Sequence, residues 1–475
     1  MANLLLRSVL VLSLMFGLLF AVGVMVLTAI QAPLGYAILF ALGILFLQYL
    51  LGPWILQLIY KIEWRDPKSV SPALAAFMDR VCEERKIPRP RFGIIHDGNP
   101  NAFTFGHYPG DARLVVTTGL LELLDGEECQ AVVAHELGHI AHWDFVVMTI
   151  AAAVPLILYM LYRFSISRGR NREGLYLAAV GVVSYMVYII SQFIALLLSR
   201  VREYYADQFA TEVTGNPNAL SSALVKVAYG LATADKDKKN KRAGIRMTAA
   251  RAFGIFDPKA ARSLALAGAA NGSVTLDSMQ NAMKWDLWNP WAFFFELSST
   301  HPLAAKRIRA LSQQSEAIGQ LPRLRLEAQP PESYWDEFAI DLAINYLPVA
   351  VLGASAVTVF AAIQAQQAFV GIAGFGLLMT CFAWWLQRRV IYRQRFDQLR
   401  TVSSLIGEVK VSNVRPIPCE LEGEIIGRGV PGLFYSEDLV LQDQTGYITV
   451  DYRQPLGILE FLFGWLKADK LVGRR

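Results

Sequence analysis

Ala134-His135-Glu136-Leu137-Gly138-His139 is the stretch on which the reading of this chain turns. Its pattern is His-Glu-x-x-His. On a helix, residues four apart share one face, so the two imidazoles can converge on a single metal ion. Glu136 then lies beside that ion, placed to take a proton from water. A catalytic zinc ion lowers the pKa of its water to about 7, which makes hydroxide at neutral pH. Five residues can match by chance, so the flanks decide. Upstream, Ala112-Arg113-Leu114-Val115-Val116-Thr117-Thr118 reads as a strand closed by Gly119. Asp125 followed three residues later by Glu128 is a capping-box helix start. From Cys129 to Ala141 only Gly138 weakens the helix, by roughly 1 kcal/mol against alanine. A residue so small beside a metal implies tight packing or substrate access.

A catalytic zinc of this kind needs a third protein ligand. The extended form with a third histidine fails, because Phe145 stands in its place. His142 lies one turn past His139 and is expected to point beyond the metal. Among the downstream acids Glu203 is the best candidate, in Ser199-Arg200-Val201-Arg202-Glu203-Tyr204-Tyr205-Ala206-Asp207 at the mouth of an apolar segment. Asp207 falls one turn later on the same face and could orient a histidine through its second ring N–H. Glu212 is on roughly the opposite helix face, and Glu173 is in a short polar loop. Both remain open as alternatives.

Around this motif the chain is built for a bilayer. Its 475 residues are 54% hydrophobic and only 18% charged, well beyond an ordinary soluble domain. Ser8 to Tyr60 carries no charge and is broken at Gln31-Ala32-Pro33-Leu34-Gly35. Each half exceeds the roughly 20 residues needed to cross a membrane. No Ala-x-Ala cleavage site marks it as a signal peptide. Phe145–Tyr162 with Leu175–Leu198 forms a second apolar pair, and Leu342–Gln387, divided near Gln364-Ala365-Gln366-Gln367, a third. Six spans are expected. Lys61, Arg65 and Lys68 follow the first hairpin, Arg200 and Arg202 the second, and Arg388, Arg389, Arg393 and Arg395 the third. The positive-inside rule puts these flanks, both termini and the metal site in the cytoplasm. Arg163, Arg168, Arg170 and Arg172 dissent, since this orientation leaves them outside.

The expected organisation is a transmembrane hairpin over 1–60, a first catalytic part over 61–144 and a second hairpin over 145–199. A second catalytic part over 200–316, a linker over 317–337, a third hairpin over 338–387 and a β-rich region over 388–475 follow. Neither catalytic part is complete alone. Trp285, Trp288, Trp291 and Phe293–Phe295 form an aromatic cluster expected to be an interfacial belt or core packing. In the tail, Glu408–Val411, Pro418–Ile426, Asp438–Gln442 and Tyr447–Tyr452 read as short strands with Gly and Pro turns. A small, OB-like β-barrel is expected, holding a second copy or a partner protein, with the apolar Leu456–Leu466 resting on the membrane or a neighbour.

At the level of ordered motifs the chain resembles the M48 family of integral-membrane zinc metallopeptidases, which includes the HtpX and Ste24 proteases. The matching stretches are the His135–His139 helix with Asp144 after it, Ser199–Asp207, Pro100-Asn101-Ala102-Phe103, and Ser299-Thr300-His301-Pro302 with Arg307-Ile308. The resemblance spans about 65–315. It implies that His135, His139 and Glu203 bind one zinc ion, that Glu136 is the general base, and that Asp207 orients a ligand from behind. It also implies that Asn101, Ala102 and Phe103 belong to an edge strand pairing with substrate, and that His301 helps bind substrate or the developing oxyanion.

The expected fold is therefore a multi-span α-helical membrane protein with a mainly α (α+β), zincin-like catalytic domain and a small C-terminal β-barrel. The expected activity is an ATP-independent zinc endopeptidase of the plasma (inner) membrane, acting from the cytoplasmic side on misfolded or damaged membrane proteins. No Walker-type phosphate loop is present. A CAAX-type prenyl-protein protease and a non-enzymatic scaffold with a vestigial zinc site are the alternatives. The basic run Lys236–Arg242 lacks interleaved aromatics, so no nucleic-acid partner is expected. Cys82, Cys129, Cys381 and Cys419 lack any Cys-x-x-Cys spacing and read as buried thiols in a reducing compartment, not disulfides or zinc ligands.

Overall fold

A computed structural model describes residues 34–60, 62–96, 100–167, 172–229, 265–267, 276–326, 330–365, 369–392, 398–428 and 439–450. The chain begins there with the apolar helix α1 (Leu34–Tyr60). The first catalytic part follows as β1 (Glu63–Trp64), α2 (Pro72–Glu84), β2 (Arg91–Ile95), β3 (Ala102–Phe105), β4 (Arg113–Thr117), α3 (Thr118–Leu123) and α4 (Gly126–Ala141). A hairpin of α5 (Asp144–Ser167) and α6 (Arg172–Thr214) leads to α7 (Pro217–Tyr229) and the short strand β5 (Ala265–Ala267). Then come α8 (Leu276–Trp288), α9 (Pro290–Glu296), α10 (Ala304–Ala317), and the long pair α11 (Trp335–Gln364) and α12 (Phe369–Ile391). The tail carries α13 (Val402–Ile406), β6 (Glu424–Arg428), β7 (Leu439–Gln442) and β8 (Gly446–Val450).

Among the described residues, five helices are long and apolar enough to cross a membrane. They are the second half of the first expected hairpin and both members of the other two; the expected first span lies outside the described residues. Their surfaces carry large exposed apolar side chains such as Phe46, Ile190, Val357 and Phe382, as lipid-facing helices require. The protein is a multi-pass membrane protein. One element runs on past the apolar segment: α6 has 43 residues and continues unbroken through Glu203 and Asp207. At 1.5 Å per residue it is about 65 Å long, more than twice the hydrocarbon thickness.

The catalytic parts interlock around α4. Asp125 caps its N-terminus, accepting from Glu128 N at 2.9 Å, while the Glu128 carboxylate accepts from Asp125 N at 3.0 Å. Glu128 is itself buried, and Ser222 and Lys226 of α7 each donate to it at 2.6 Å, tying the helix start to the second part. One sheet, in the order β1-β2-β4-β3, covers α2 and α4. Phe92, Ile94, Leu114 and Val116 face that core, and Ile95, Phe105 and Val115 face Leu56 and Tyr60 of α1. The period-2 alternation of a two-sided strand is thus used twice, once against the catalytic helices and once against a membrane helix.

The tail departs from expectation. Its three strands form an open antiparallel sheet in the order β5-β8-β7-β6, joined by Ala265–Ala267 from the second catalytic part. No closure into a barrel is seen among the described residues. Glu408–Val411, expected as a strand, has turn and irregular backbone. Its carbonyls accept from side chains, Val411 O from Trp285 Nε1 at 3.0 Å and Val409 O from Asn289 Nδ2 at 2.6 Å. Pro416 and Pro418, which have no N–H for a ladder, keep the following stretch irregular as well. The aromatic cluster before His301 is core packing: Trp291 is buried against Phe294, Phe295 and Phe338. Lys236–Arg242 and Leu456–Leu466 lie outside the described residues.

Candidate metal centre

Helix α4 places His135 and His139 one turn apart, with their Nε2 atoms 3.1 Å from each other. Helix α6 passes beside α4 and brings Glu203 between them. Its Oε2 is 3.5 Å from His135 Nε2 and its Oε1 3.6 Å from His139 Nε2. This approach depends on Gly138. A Cβ there would meet the Ala206 Cα at 3.1 Å and the Phe209 Cβ at 3.2 Å. A side chain there would press on α6 by a few tenths of an ångström.

Each imidazole is held from behind by a carboxylate. His135 Nδ1 lies 3.0 Å from Asp207 Oδ1, and His139 Nδ1 lies 2.6 Å from Asp144 Oδ2. A proton shared with a carboxylate at Nδ1 leaves the Nε2 lone pair for a metal. Arg307 of α10, fully buried, donates to Asp207 from Nε at 2.8 Å and from Nη2 at 2.6 Å. Its Nη1 is 3.2 Å from Glu203 Oε2. Asp207 holds the guanidinium well above its ordinary pKa against the opposing effect of burial. Arg202 pairs with Asp144 on the other side.

These residues fit a tetrahedral cation. Metal–nitrogen bonds of 2.0–2.1 Å at tetrahedral angles put neighbouring donors about 3.3 Å apart. The three observed donor separations bracket that value. Glu203 Oε2 is buried, with charged neighbours in Arg307 Nη1 at 3.2 Å and His135 Nε2 at 3.5 Å but no hydrogen bond of good geometry, so a metal could complete its surroundings. Burial opposes a charge on His135, yet its hydrogen bonds to Asp207 and Glu203 outweigh it and push the imidazole up to about 9. Glu136, also buried, offers its carboxylate within 4.8 Å of the two histidine donors. Glu203 lies 3.5 and 3.6 Å from the two Nε2 atoms, so the site holds two carboxylates, one of which can serve as a ligand and the other as a proton acceptor.

His301 lies at the rim, with Nε2 3.4 Å from Glu203 Oε1. His142 is at the end of α4 with its ring against Tyr205 and Phe209, away from the cluster. Glu212 pairs with Arg85 at 3.3 Å, also away from it. Strand β3 is the sheet edge, and Asn101 anchors its start, exchanging hydrogen bonds with Thr117. Ala102 is buried, and Phe103 stacks between Tyr60 and Phe105. Two contributors lacked an assigned role in the sequence reading: Arg307 and Asp144 appeared there only as motif positions.

The model of the family described as Peptidase family M48 matches residues 69–315. A protease HtpX homolog of Methanothermobacter thermautotrophicus is 39% identical over 228 residues, which are 48% of this chain and 86% of that protein. One from Aeropyrum pernix is 28% identical over 285 residues, 58% of this chain and 84% of that protein. The crystal structure of S. mikatae Ste24p aligns with 51% of this chain and 64% of its own, at 20% identity and a TM-score of 0.38. A likeness that low carries no weight here.

Proposed function

The chain belongs to peptidase family M48 and is a membrane-embedded metalloprotease; from that premise we propose that His135, His139 and Glu203 hold one zinc ion and that Glu136 is the general base. The convergence of two carboxylate-backed imidazoles on the buried Glu203 carboxylate carries this reading. When bound, zinc polarises the scissile carbonyl and acidifies water. The chain's own residues do the rest. A substrate segment pairs with the free edge of β3 as an added strand, beginning beside Asn101 and passing Ala102 and Phe103. Glu136 takes a proton from the attacking water and returns it to the departing amine. His301, on the rim beside Glu203, contacts the substrate or the oxygen that gains charge.

The natural substrates are proposed to be misfolded or damaged membrane proteins, reached from the cytoplasmic side of the plasma membrane without ATP. The C-terminal region holding a second copy or a partner protein belongs to the same proposal. The HtpX relatives do not favour the prenyl-protein alternative. Removing metal with a chelator should abolish cleavage of an unfolded protein, and zinc alone should restore it. Restoration by magnesium in place of zinc would overturn the assignment. Orientation is tested with single cysteines at Ser167 and Lys239 in a cysteine-free background, labelled by an impermeant thiol reagent in intact cells. Labelling at 167 and not 239 is expected; the reverse puts the site outside the cytoplasm.

A further inference from the structure

Asp341 is the last charge before the apolar run of α11, and it is 2% exposed. A carboxylate so placed must be paired. Its partners come from the tail: Arg415 Nε donates to Oδ1 at 2.6 Å and Ser412 Oγ to Oδ2 at 2.5 Å, with Trp291 Nε1 3.4 Å from Oδ2. Arg415 also donates to Glu337 O at 3.2 Å. The same segment crosses the junction of α8 and α9. There Trp285 and Asn289 donate to the carbonyls of Val409 and Val411. Asn289 simultaneously caps α9, accepting from Trp291 N at 2.8 Å. Residues 409–415 thus bind α8, α9 and the start of α11 at once, and all of them lie beyond the family match.

Helix α9 leads directly to the active-site rim. Arg200, three residues before Glu203 on α6, donates to Glu296 O at 2.6 Å and Ser299 O at 2.9 Å. The Glu296 carboxylate accepts from Leu303 N at 3.1 Å. His301 is held between these points, its N donating to Ser299 Oγ at 3.2 Å. The loop 297–303 is therefore fixed on one side by α6 and on the other by α9, and the tail fixes α9.

We propose that residues 409–415 are a strap, fastened by the Asp341–Arg415 pair, that positions the His301 loop at the active site. Arg415 and Asp341 are positioning residues for catalysis, acting through His301; the activity part of this rests on the reading of His301 given above. The strap gives the tail a role within its own chain: it joins the third hairpin to the rim of the catalytic cleft.

The test uses the full-length protein in lipid nanodiscs, with hydrogen exchange read over 290–303 and over α4, residues 126–141. Arg415→Met should raise exchange over 290–303 roughly tenfold and leave α4 protected. Arg415→Lys, which keeps a charged donor, should restore most of the protection. Asp341→Asn, close in shape and lacking only the charge, should repeat the effect at smaller size if the Met variant folds poorly. For cleavage of an unfolded protein, Arg415→Met should lower kcat/KM roughly tenfold in the otherwise native chain and less than about twofold in a His301→Ala background. Unchanged exchange over 290–303, an equal rise over α4, or the same activity loss in both backgrounds would overturn the strap. Full activity of His301→Ala alone removes the role of His301, and the exchange pattern then decides the strap by itself.

Discussion

The hairpins α5–α6 and α11–α12 are alike as membrane spans and unlike in what they do for the site. Helix α5 begins at Asp144, which holds His139, and the C-terminal part of α6 carries Glu203 and Asp207 into the candidate metal centre. The second hairpin and the site are therefore built from the same helices. The α11–α12 pair places no side chain in the cluster and meets the catalytic half at its near end, around Trp291, Phe338 and Asp341. Apolar length tells that both can cross a bilayer. What couples a span to chemistry is the set of buried charges at its end.

The largest effects should come from the residues that the second hairpin and α4 bring together. Glu203→Ala should lose metal and activity together, because a ligand oxygen disappears. Glu136→Gln should keep metal and lose roughly 100- to 10,000-fold in turnover, because the amide cannot take the proton. Metal content by mass spectrometry, paired with cleavage of an unfolded protein, separates the two. Full metal and activity in Glu203→Ala would detach the second hairpin from the site and erase the contrast with the third.

Next come the carboxylates behind the imidazoles. Asp144→Ala and Asp207→Ala should each lower zinc affinity about 10- to 100-fold, as when an orienting partner is lost. Asp207→Ala should also destabilise the fold more. It strips the fully buried Arg307 of its bidentate partner and leaves Glu203 at 3.2 Å to offset the charge, so the loss should approach, without exceeding, the about 3–5 kcal/mol of a broken buried pair. Asp144 pairs with Arg202 nearer the surface, where water can take over. Chelator competition and thermal unfolding of the two variants would sharpen this ranking; equal melting temperatures would contradict it.

Much of the comparison was legible in the sequence, and the gaps have physical causes. The α4 cap at Asp125 and Glu128 and the paired histidines follow from local spacing, and both hairpins follow from uninterrupted apolar length. Glu203 was a candidate by its place at the mouth of an apolar segment, but on spacing alone it reads equally as half of a solvated helix pair with Asp207, and the family resemblance singled it out. Arg307 was mute as to role, since one arginine on an amphipathic helix looks like any solvated cation. Only the fold shows it buried against two carboxylates. Glu408–Val411 alternates like a strand, but its carbonyls answer side chains of α8 and α9, a pairing that no local pattern encodes. The addition of Ala265–Ala267 to the tail's sheet is equally non-local, joining segments about 180 residues apart in sequence.

The smallest effect should lie in the third hairpin, and two glycines test it against the second. Both sit where helices approach closely, Gly138 in tight contact and Gly376 with no room for a side chain. A Cβ on Gly138 would meet Ala206 Cα at 3.1 Å, and one on Gly376 of α12 would meet Ser355 Cβ of α11 at 2.6 Å. On local crowding alone, enlarging Gly376 should be the worse change. Position reverses the expectation for function. Gly138→Val pushes α6 from α4 and moves Glu203 relative to the histidines, so overpacking of about 1–3 kcal/mol is accompanied by lost zinc. Gly376→Val splays α12 from α11 within the apolar run, far along α11 from Asp341, and leaves α4 and α6 untouched. It should lower the melting temperature yet keep zinc affinity and kcat/KM within about twofold, since distant sites act independently. A loss of zinc in Gly376→Val comparable to that in Gly138→Val would mean that the two hairpins move as one, and the distinction between them would fall.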